Sequence, residues 1–435
     1  MKLNVYRNDL LVGVLDIQAS EPFYGFMYDG EFLSSAEALP LSLSLPLIES
    51  RFTFDLSQPF FEGLLPEGDA RDAVSRRLGI PPQSSVKLLQ ALGRDCAGAV
   101  SIIGEDEQIQ PPSKFLDKSL ANLYDRLDSG LEVIARSPRT EIPKIQEDMR
   151  LSLAGAQEKI ALYHNQNTDI EKGWYIPLHG MPSTHIIKPG LLESQYPDIT
   201  LNEFICLRAA AACGIQTANV DILYPETPIL IIQRFDRVIE NNQDDEFDKV
   251  TRIHQEDFCQ ACGIKPSLKY EHDGGPGYKK IRDLLAMFSK QPIEDITRFV
   301  KLSVFNYLIG NCDAHSKNFS IFHNTDKTIT FAPAYDLIAT AIYDGHLGSK
   351  LSRNMGMRIG LHENIDKINN EDFTLFAKNI QIHLSQVRNY KDEIMSNLPD
   401  ALNKATASAN DRGFTNAPKL ADRSFAECNK RAVNV

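Results

Sequence analysis

Between two apolar blocks, the segment LIGNCDAHSKNFSIF (308–322) gathers Asp313, His315, Ser316, Lys317 and Asn318. Polar side chains held between buried elements cost free energy unless each finds a partner. A carboxylate such as Asp313 can accept a hydroxyl proton, and an amide oxygen such as that of Asn318 is a neutral hard ligand suited to Mg²⁺. Further along, FAPAYDLI supplies Tyr335 and Asp336 at the end of a short apolar stretch. One carboxylate and one amide oxygen, completed by phosphate oxygens and water, make an ordinary Mg²⁺ shell. The bland alternative is a polar loop whose Asp and Asn cap the neighbouring elements.

The spacing Asp-x₄-Asn followed by a later Asp resembles the catalytic loop and metal Asp of protein kinases. The tighter form, Asp-x-His-x-x-Asn, is similar to the loop of phosphoinositide-type kinases. A kinase also needs a strand lysine, and THIIKP ends a β-branched run with Lys188. In the next helical pattern, TLNEFICLRAAAACG, Glu203 is the carboxylate that could pair with Lys188. Thr200-x-x-Glu203 is equally a capping box, which explains Glu203 without a lysine.

Phosphates call for backbone N–H groups and positive charge. LAGAQEK offers Ala154, Gly155 and Ala156 for close backbone approach, followed by Gln157, Glu158 and Lys159. IIQRFDR closes the strand-rich region where a kinase hinge would lie, so Gln233 and the backbone through Phe235 are candidate adenine contacts, the alternative being an edge strand ending in a charged turn. DGGPG (273–277) reads first as a sharp turn. The histidines are scattered and no GxSxG elbow occurs, which argues against a Ser-His-Asp hydrolase.

The elements that must position these groups are legible in outline. Residues 1–105 read as short strands and helices in a small α+β unit, with hairpin turns at Asn8-Asp9 and Asp29-Gly30. A charged connecting segment occupies 106–149, a strand-rich nucleotide-binding lobe 150–236, a helical catalytic lobe 237–400, and a polar, partly disordered tail 401–435. The expected fold class is α+β, two-lobed and protein-kinase-like, with a phosphoinositide-kinase-like catalytic loop.

The chain has 435 residues and a formal net charge of −12, which disfavours broad nucleic-acid binding by its surface. Seven cysteines without a framework of close pairs suit a reducing cytosol. CQAC (Cys259, Cys262) lacks the second pair a zinc site needs and reads as two small residues on a helix face. No secretory signal opens the chain, and no apolar run approaches the roughly 20 residues that span a bilayer. A soluble, cytoplasmic protein without membrane contact is expected.

Taken in order, PLSLSLPL (40–47), GRDCAGAV (93–100), LSLAGAQEK (151–159), THIIK (184–188), QRFDR (233–237), YEHDGGPG (270–277), DAHSKNF (313–319) and YDL (335–337) closely resemble the HipA family. These are the serine/threonine kinase toxins of bacterial toxin–antitoxin modules. The resemblance runs from about residue 1 to 400. It implies an ATP- and Mg²⁺-dependent protein kinase, with Asp313 as catalytic residue and Asn318 and Asp336 as metal ligands. It further implies Lys188 as the ATP-binding lysine, 154–159 as the phosphate loop, and Gln233, Arg234 and Phe235 as the adenine segment. Some relatives carry Glu where this chain has Gln233. His315, Ser316, Lys317 and Tyr335 fall within the implied nucleotide-binding motifs, and Ser152 matches a serine that family members phosphorylate in themselves. Possession of the N-terminal unit resembles full-length members, whose implied target is glutamyl-tRNA synthetase and whose implied partners are a HipB-like helix-turn-helix antitoxin dimer and, through it, operator DNA. Two other classes stay open: a non-catalytic nucleotide-binding co-repressor, and a small-molecule kinase using the same cleft.

Overall fold

The computed structural model describes residues 2–17, 24–107, 123–138, 140–142, 145, 159–190, 196, 198–240, 247–343 and 351–435. Alternating apolar residues at the N-terminus form β1 (Lys2–Arg7) and β2 (Leu10–Ile17), joined at Asn8-Asp9 with Asn8 in the left-handed region, φ 52°. With β3 (Tyr24–Tyr28) and β4 (Val100–Gly104) they make an antiparallel sheet in the order β3-β2-β1-β4. Leu3, Val5 and Leu15 face helices Phe54–Glu62 and Ser85–Leu92, which bury Phe60, Phe61, Leu88, Leu89 and Leu92. The hairpin expected at Asp29-Gly30 is absent. Asp29 Oδ1 instead accepts the backbone N–H groups of Glu31 and Phe32 at 3.0 Å each, capping the short helix Gly30–Ser34. An Asx side chain before an acidic first turn favours that outcome over a turn.

The second layer is a six-stranded antiparallel sheet in the order β5-β7-β6-β8-β10-β9. Its strands are β5 (Tyr124–Arg126), β6 (Ile160–His164), β7 (Trp174–Pro177), β8 (His185–Pro189), β9 (Val220–Leu223) and β10 (Ile229–Gln233). Part of the segment read as a connector therefore supplies an edge strand. In β8 the period of two sends Ile187 into the core with Ile160, Trp174 and Ile231. It turns Ile186 and Lys188 to the opposite face, which borders a cleft. Lys188 lies opposite Leu230 of β10. Helix Ile199–Ala212 is apolar on nearly all sides and buried along most of its length, as its sequence predicts.

After β10 the chain forms a hairpin of β11 (Arg237–Glu240) and β12 (Lys249–Arg252). A small sheet follows, β13 (Gln255–Asp257), β14 (Ser320–His323) and β15 (Ile329–Phe331), in that order. Helix Pro292–Ile309 opens with Pro at its first position and stops at Gly310, φ 75°, a left-handed cap that glycine adopts without strain. It packs against helices Leu384–Asp411 and Ala417–Ala432. The tail expected to be partly disordered is thus helical. Its polar composition hides a stripe of Leu420, Ala421, Ser424, Cys428 and Arg431 that is buried. Arg431 Nε donates to the carbonyl of Leu308 at 3.0 Å, in the last turn of the helix leading to the polar loop.

The N-terminal unit is docked on the rest by buried polar contacts. Ser42 Oγ donates to Glu256 Oε2 at 2.5 Å, and Gln260 Nε2 donates to the carbonyl of Phe60 at 2.9 Å. Asp95 accepts from Arg237 at 2.9 Å, from Arg252 at 3.1 Å and from Ser183 Oγ at 2.6 Å, with Arg234 at 3.4 Å. Asp236 takes Arg234 at 2.7 Å and Arg237 at 2.9 Å. The carbonyls of Cys96 and Gly98 take further guanidinium protons. Burial alone would raise the pKa of Asp95, but the guanidinium groups of Arg237, Arg252 and Arg234 outweigh it and hold the carboxyl well below the usual range.

Candidate active site

The polar loop 310–319 hangs between Gly310 and β14, and its side chains divide into two sets. Ser316 Oγ donates to the carbonyl of Lys269 at 2.9 Å, and Lys317 Nζ donates to Asp257 at 2.6 Å. These contacts tie the loop down. Lys317 borders the cleft, yet its charge is already matched by Asp257 and, at 3.7 Å, by Glu67. His315 is buried against the Tyr270 ring with 5.1 Å between centroids, and burial pushes its pKa down to about 3, so the imidazole is neutral. Asp313 and Asn318 form the second set and face the cavity. Asn318 Nδ2 donates to the Asp313 carbonyl at 3.0 Å, leaving its amide oxygen for the cleft. The Asp313 carboxylate is open to solvent on one side and accepts from Tyr270 Oη at 2.6 Å. Desolvation by the surrounding walls raises its pKa above the ordinary value, opposed by that hydrogen bond.

Lys188 is buried and donates to Glu203 Oε1 at 2.7 Å and to Asp336. Burial alone would push its pKa down, but the Asp336 and Glu203 carboxylates outweigh that and raise it. Two carboxylates share one ammonium: burial raises the pKa of Glu203, whereas Asp336 is held low by Lys188 and Lys159 despite its own desolvation. The capping box does not form. Asp198 occupies the helix N-cap, Thr200 lies inside the helix, and Glu203 belongs to Lys188. Asp336 adopts φ 53°, a left-handed conformation that is strained for a residue with a side chain. Asn311 Nδ2 donates to its carbonyl at 3.3 Å, holding the carboxylate toward Lys188.

Asp313, Asn318, Lys188 and Asp336 line one cavity of about 450 Å³, within the range of small-molecule sites. Lys159 is at its edge, with burial pushing its pKa down to about 8 against the pull of Asp336. Phe235 packs on Tyr335 with 5.6 Å between centroids, forming an apolar wall. Tyr335 Oη donates to the Lys317 carbonyl at 2.6 Å. Gln233 accepts from Asn219 Nδ2 at 3.0 Å through its side chain and borders the cavity. The Arg234 guanidinium points away into Asp95 and Asp236, and its backbone N–H donates to the Thr184 carbonyl at 2.9 Å. Ser152 and the stretch Ala154, Gly155, Ala156, Gln157 and Glu158 lie outside the described residues.

Sequence reasoning missed Glu67, Lys269 and Tyr270. Glu67 and Ala97 bring the N-terminal unit into the cavity wall, and Lys269 joins Glu67 at 3.1 Å. Tyr270 sits in YEHDGGPG, where the glycines drew the reading toward a turn. The turn exists: Gly274 has φ 104°, and the aromatic side chain of Tyr270, just upstream, reaches Asp313. Among the described residues no group of three or more His, Cys, Asp or Glu is placed to hold a metal ion. Asn318 and Asp336 both line the cavity, and an amide and a carboxylate oxygen are donor types that could hold an ion completed by phosphate oxygens and water.

Together these features define a two-lobed α+β protein with its reactive side chains gathered in the cleft between lobes. The HipA-like C-terminal domain matches residues 151–402, and the HipA N-terminal domain matches residues 3–103. The Sinorhizobium fredii protein Y4mE, named as a kinase, is 35% identical over 417 residues, 93% of this chain and 91% of its own. The serine/threonine-protein kinase toxin HipA of Shewanella oneidensis is 29% identical over 361 residues, covering 79% of this chain and 76% of its own. A solved structure of Shewanella oneidensis HipA with HipB and operator DNA matches the fold with a TM-score of 0.79 at 24% identity, covering 98% and 97% of the two chains. The chain belongs to the HipA family.

Proposed function

We propose that this protein is an ATP- and Mg²⁺-dependent protein serine/threonine kinase acting in the cytoplasm as the toxin of a type II toxin–antitoxin module. The observation that carries the reading is one cavity lined by Asp313, with an open carboxylate oxygen, by Asn318 and Asp336, and by Lys188, whose ammonium the buried Glu203 holds from behind. Asp313 accepts the proton of an incoming hydroxyl, and Lys188 and Lys159 offer positive charge to phosphate. Phe235 and Tyr335 give an apolar surface for a base, with Gln233 at its edge. Asn318 and Asp336 would hold Mg²⁺, which would neutralise phosphate charge. Positioning and charge matching do most of the work in such transfers.

The finer assignments rest on the family resemblance: glutamyl-tRNA synthetase as substrate, Ser152 as a self-phosphorylation site, and a HipB-like antitoxin dimer with operator DNA as partners. The Shewanella oneidensis protein solved with HipB and operator DNA supports the last of these. With a net charge of −12, this chain leaves most of the DNA affinity to the antitoxin. The test incubates the purified chain with γ-labelled ATP, Mg²⁺ and cell lysate. Label in a protein band identified as glutamyl-tRNA synthetase, and in Ser152 by mass analysis, supports the proposal. Label in a small metabolite alone, or no transfer, overturns it.

A further inference from the structure

An aspartate meets an acceptor hydroxyl through one carboxylate oxygen, and its terminal torsion is a broad, nearly two-fold rotor that packing alone does not fix. Something must hold the other oxygen. Among the described residues, Tyr270 is the side chain that donates to the Asp313 carboxylate, Oη to Oδ1 at 2.6 Å. We infer that Tyr270 is a positioning residue for phosphoryl transfer: its hydroxyl fixes one oxygen of Asp313 and presents the other to the acceptor. The inference rests on the kinase reading above.

Tyr270 is itself held on several sides. Its ring stacks on His272, 5.5 Å between centroids at 23°, and meets the His315 ring edge-on at 5.1 Å and 81°. The carbonyl of the preceding residue, Lys269, accepts from Ser316 Oγ at 2.9 Å, which ties the tyrosine's backbone to the catalytic loop. The Lys269 ammonium lies 5.8 Å from the Tyr270 ring centroid and pairs with Glu67 at 3.1 Å. A carboxylate of the N-terminal unit thus braces the residue next to the tyrosine that holds Asp313. The bracing links the N-terminal unit to catalytic geometry through Glu67, Lys269 and Tyr270. Tyr270 borders Asp313 yet does not line the nucleotide cavity, so its loss should spare ATP binding.

The experiment compares wild type, Tyr270→Phe and Glu67→Gln in a protein-phosphorylation assay with purified acceptor, alongside ATP affinity by calorimetry. Phe keeps both ring contacts and removes the hydroxyl alone. A lost hydrogen bond to a charged group predicts a kcat about 10- to 100-fold lower for Tyr270→Phe, with KM and Kd for ATP unchanged. Glu67→Gln should lower kcat in the same direction by less. A merely structural role would move ATP affinity and thermal stability together with kcat, and that result overturns the inference. So does a Tyr270→Phe enzyme as fast as wild type, or a faster one, which would make the hydroxyl a plug in the acceptor's place. If wild type transfers no phosphate to any protein, the kinase reading falls and takes this inference with it. An active wild type matched by Tyr270→Phe removes this inference alone.

Discussion

Replacing Asp95 by Asn keeps the side-chain shape and removes one charge from the most deeply buried ionic cluster described above. In the native cluster Arg234, Arg237 and Arg252 face Asp95 and Asp236, an excess of one positive charge softened by the carbonyls of Cys96 and Gly98. The neutral amide introduced by Asp95→Asn would leave three guanidiniums with one carboxylate, and Asp95 is 2% exposed, so water cannot compensate. Breaking a buried pair from one side costs about 3 to 5 kcal/mol, a large share of the roughly 5 to 15 kcal/mol that holds a typical fold. The perturbation also removes one partner of Arg234, which is flanked by the cavity-lining residues Gln233 and Phe235. Urea unfolding followed by far-UV circular dichroism and by the fluorescence of Trp174, the single tryptophan, reads the loss. Adding Arg252→Gln to Asp95→Asn returns the excess to one positive charge and should recover about 1 kcal/mol or more. A loss below about 1 kcal/mol, or a double variant no more stable than the single one, would refute the reasoning.

The same cluster predicts the acid response. The pKa of Asp95 is depressed in the folded state, so its stabilisation is complete above the unfolded value of about 3.9 and is lost as pH falls below it. Wild type should therefore lose urea resistance more steeply than Asp95→Asn below about pH 4, and parallel curves there would contradict this. Asp336→Ala should weaken Mg²⁺-dependent ATP binding more than Asn318→Ala, because a carboxylate brings a full charge and an amide a dipole. Mg²⁺ titrations of both variants decide it, equal losses counting against the assigned roles. Glu203→Gln leaves Lys188 to Asp336 alone and should raise KM for ATP about tenfold, by exchanging a charged for a neutral partner. An unchanged KM in steady-state kinetics would show the pair to be dispensable.

How much of this was legible beforehand depends on whether a residue acts along its own element or across the fold. The strand period around Lys188 fixes which face it presents, and Gly310 ends the helix before Asp313, so both were readable locally. Glu203 was ambiguous because a capping box and a lysine partner carry the same local signature. Burial resolved it: an ammonium in the core requires a carboxylate, while Asp198 takes the N-cap position. The destination of the Arg234 guanidinium is not readable locally, because its partner Asp95 lies far back in the chain. Glu67 and Tyr270 are invisible for the same reason, since their partners lie in other elements. The C-terminal helix was hidden by its composition, for its buried stripe contains small and polar residues alongside one leucine.

In the proposed reaction Asp313 receives the acceptor's proton while other residues hold the nucleotide. The direct test measures γ-phosphate transfer to protein and ATP affinity for wild type and Asp313→Asn side by side. Loss of a general base predicts a fall in transfer of about 10²-fold or more. ATP affinity should stay near that of wild type, because Lys188, Lys159 and the Asn318 and Asp336 oxygens are untouched. Wild-type turnover in Asp313→Asn would contradict the account outright.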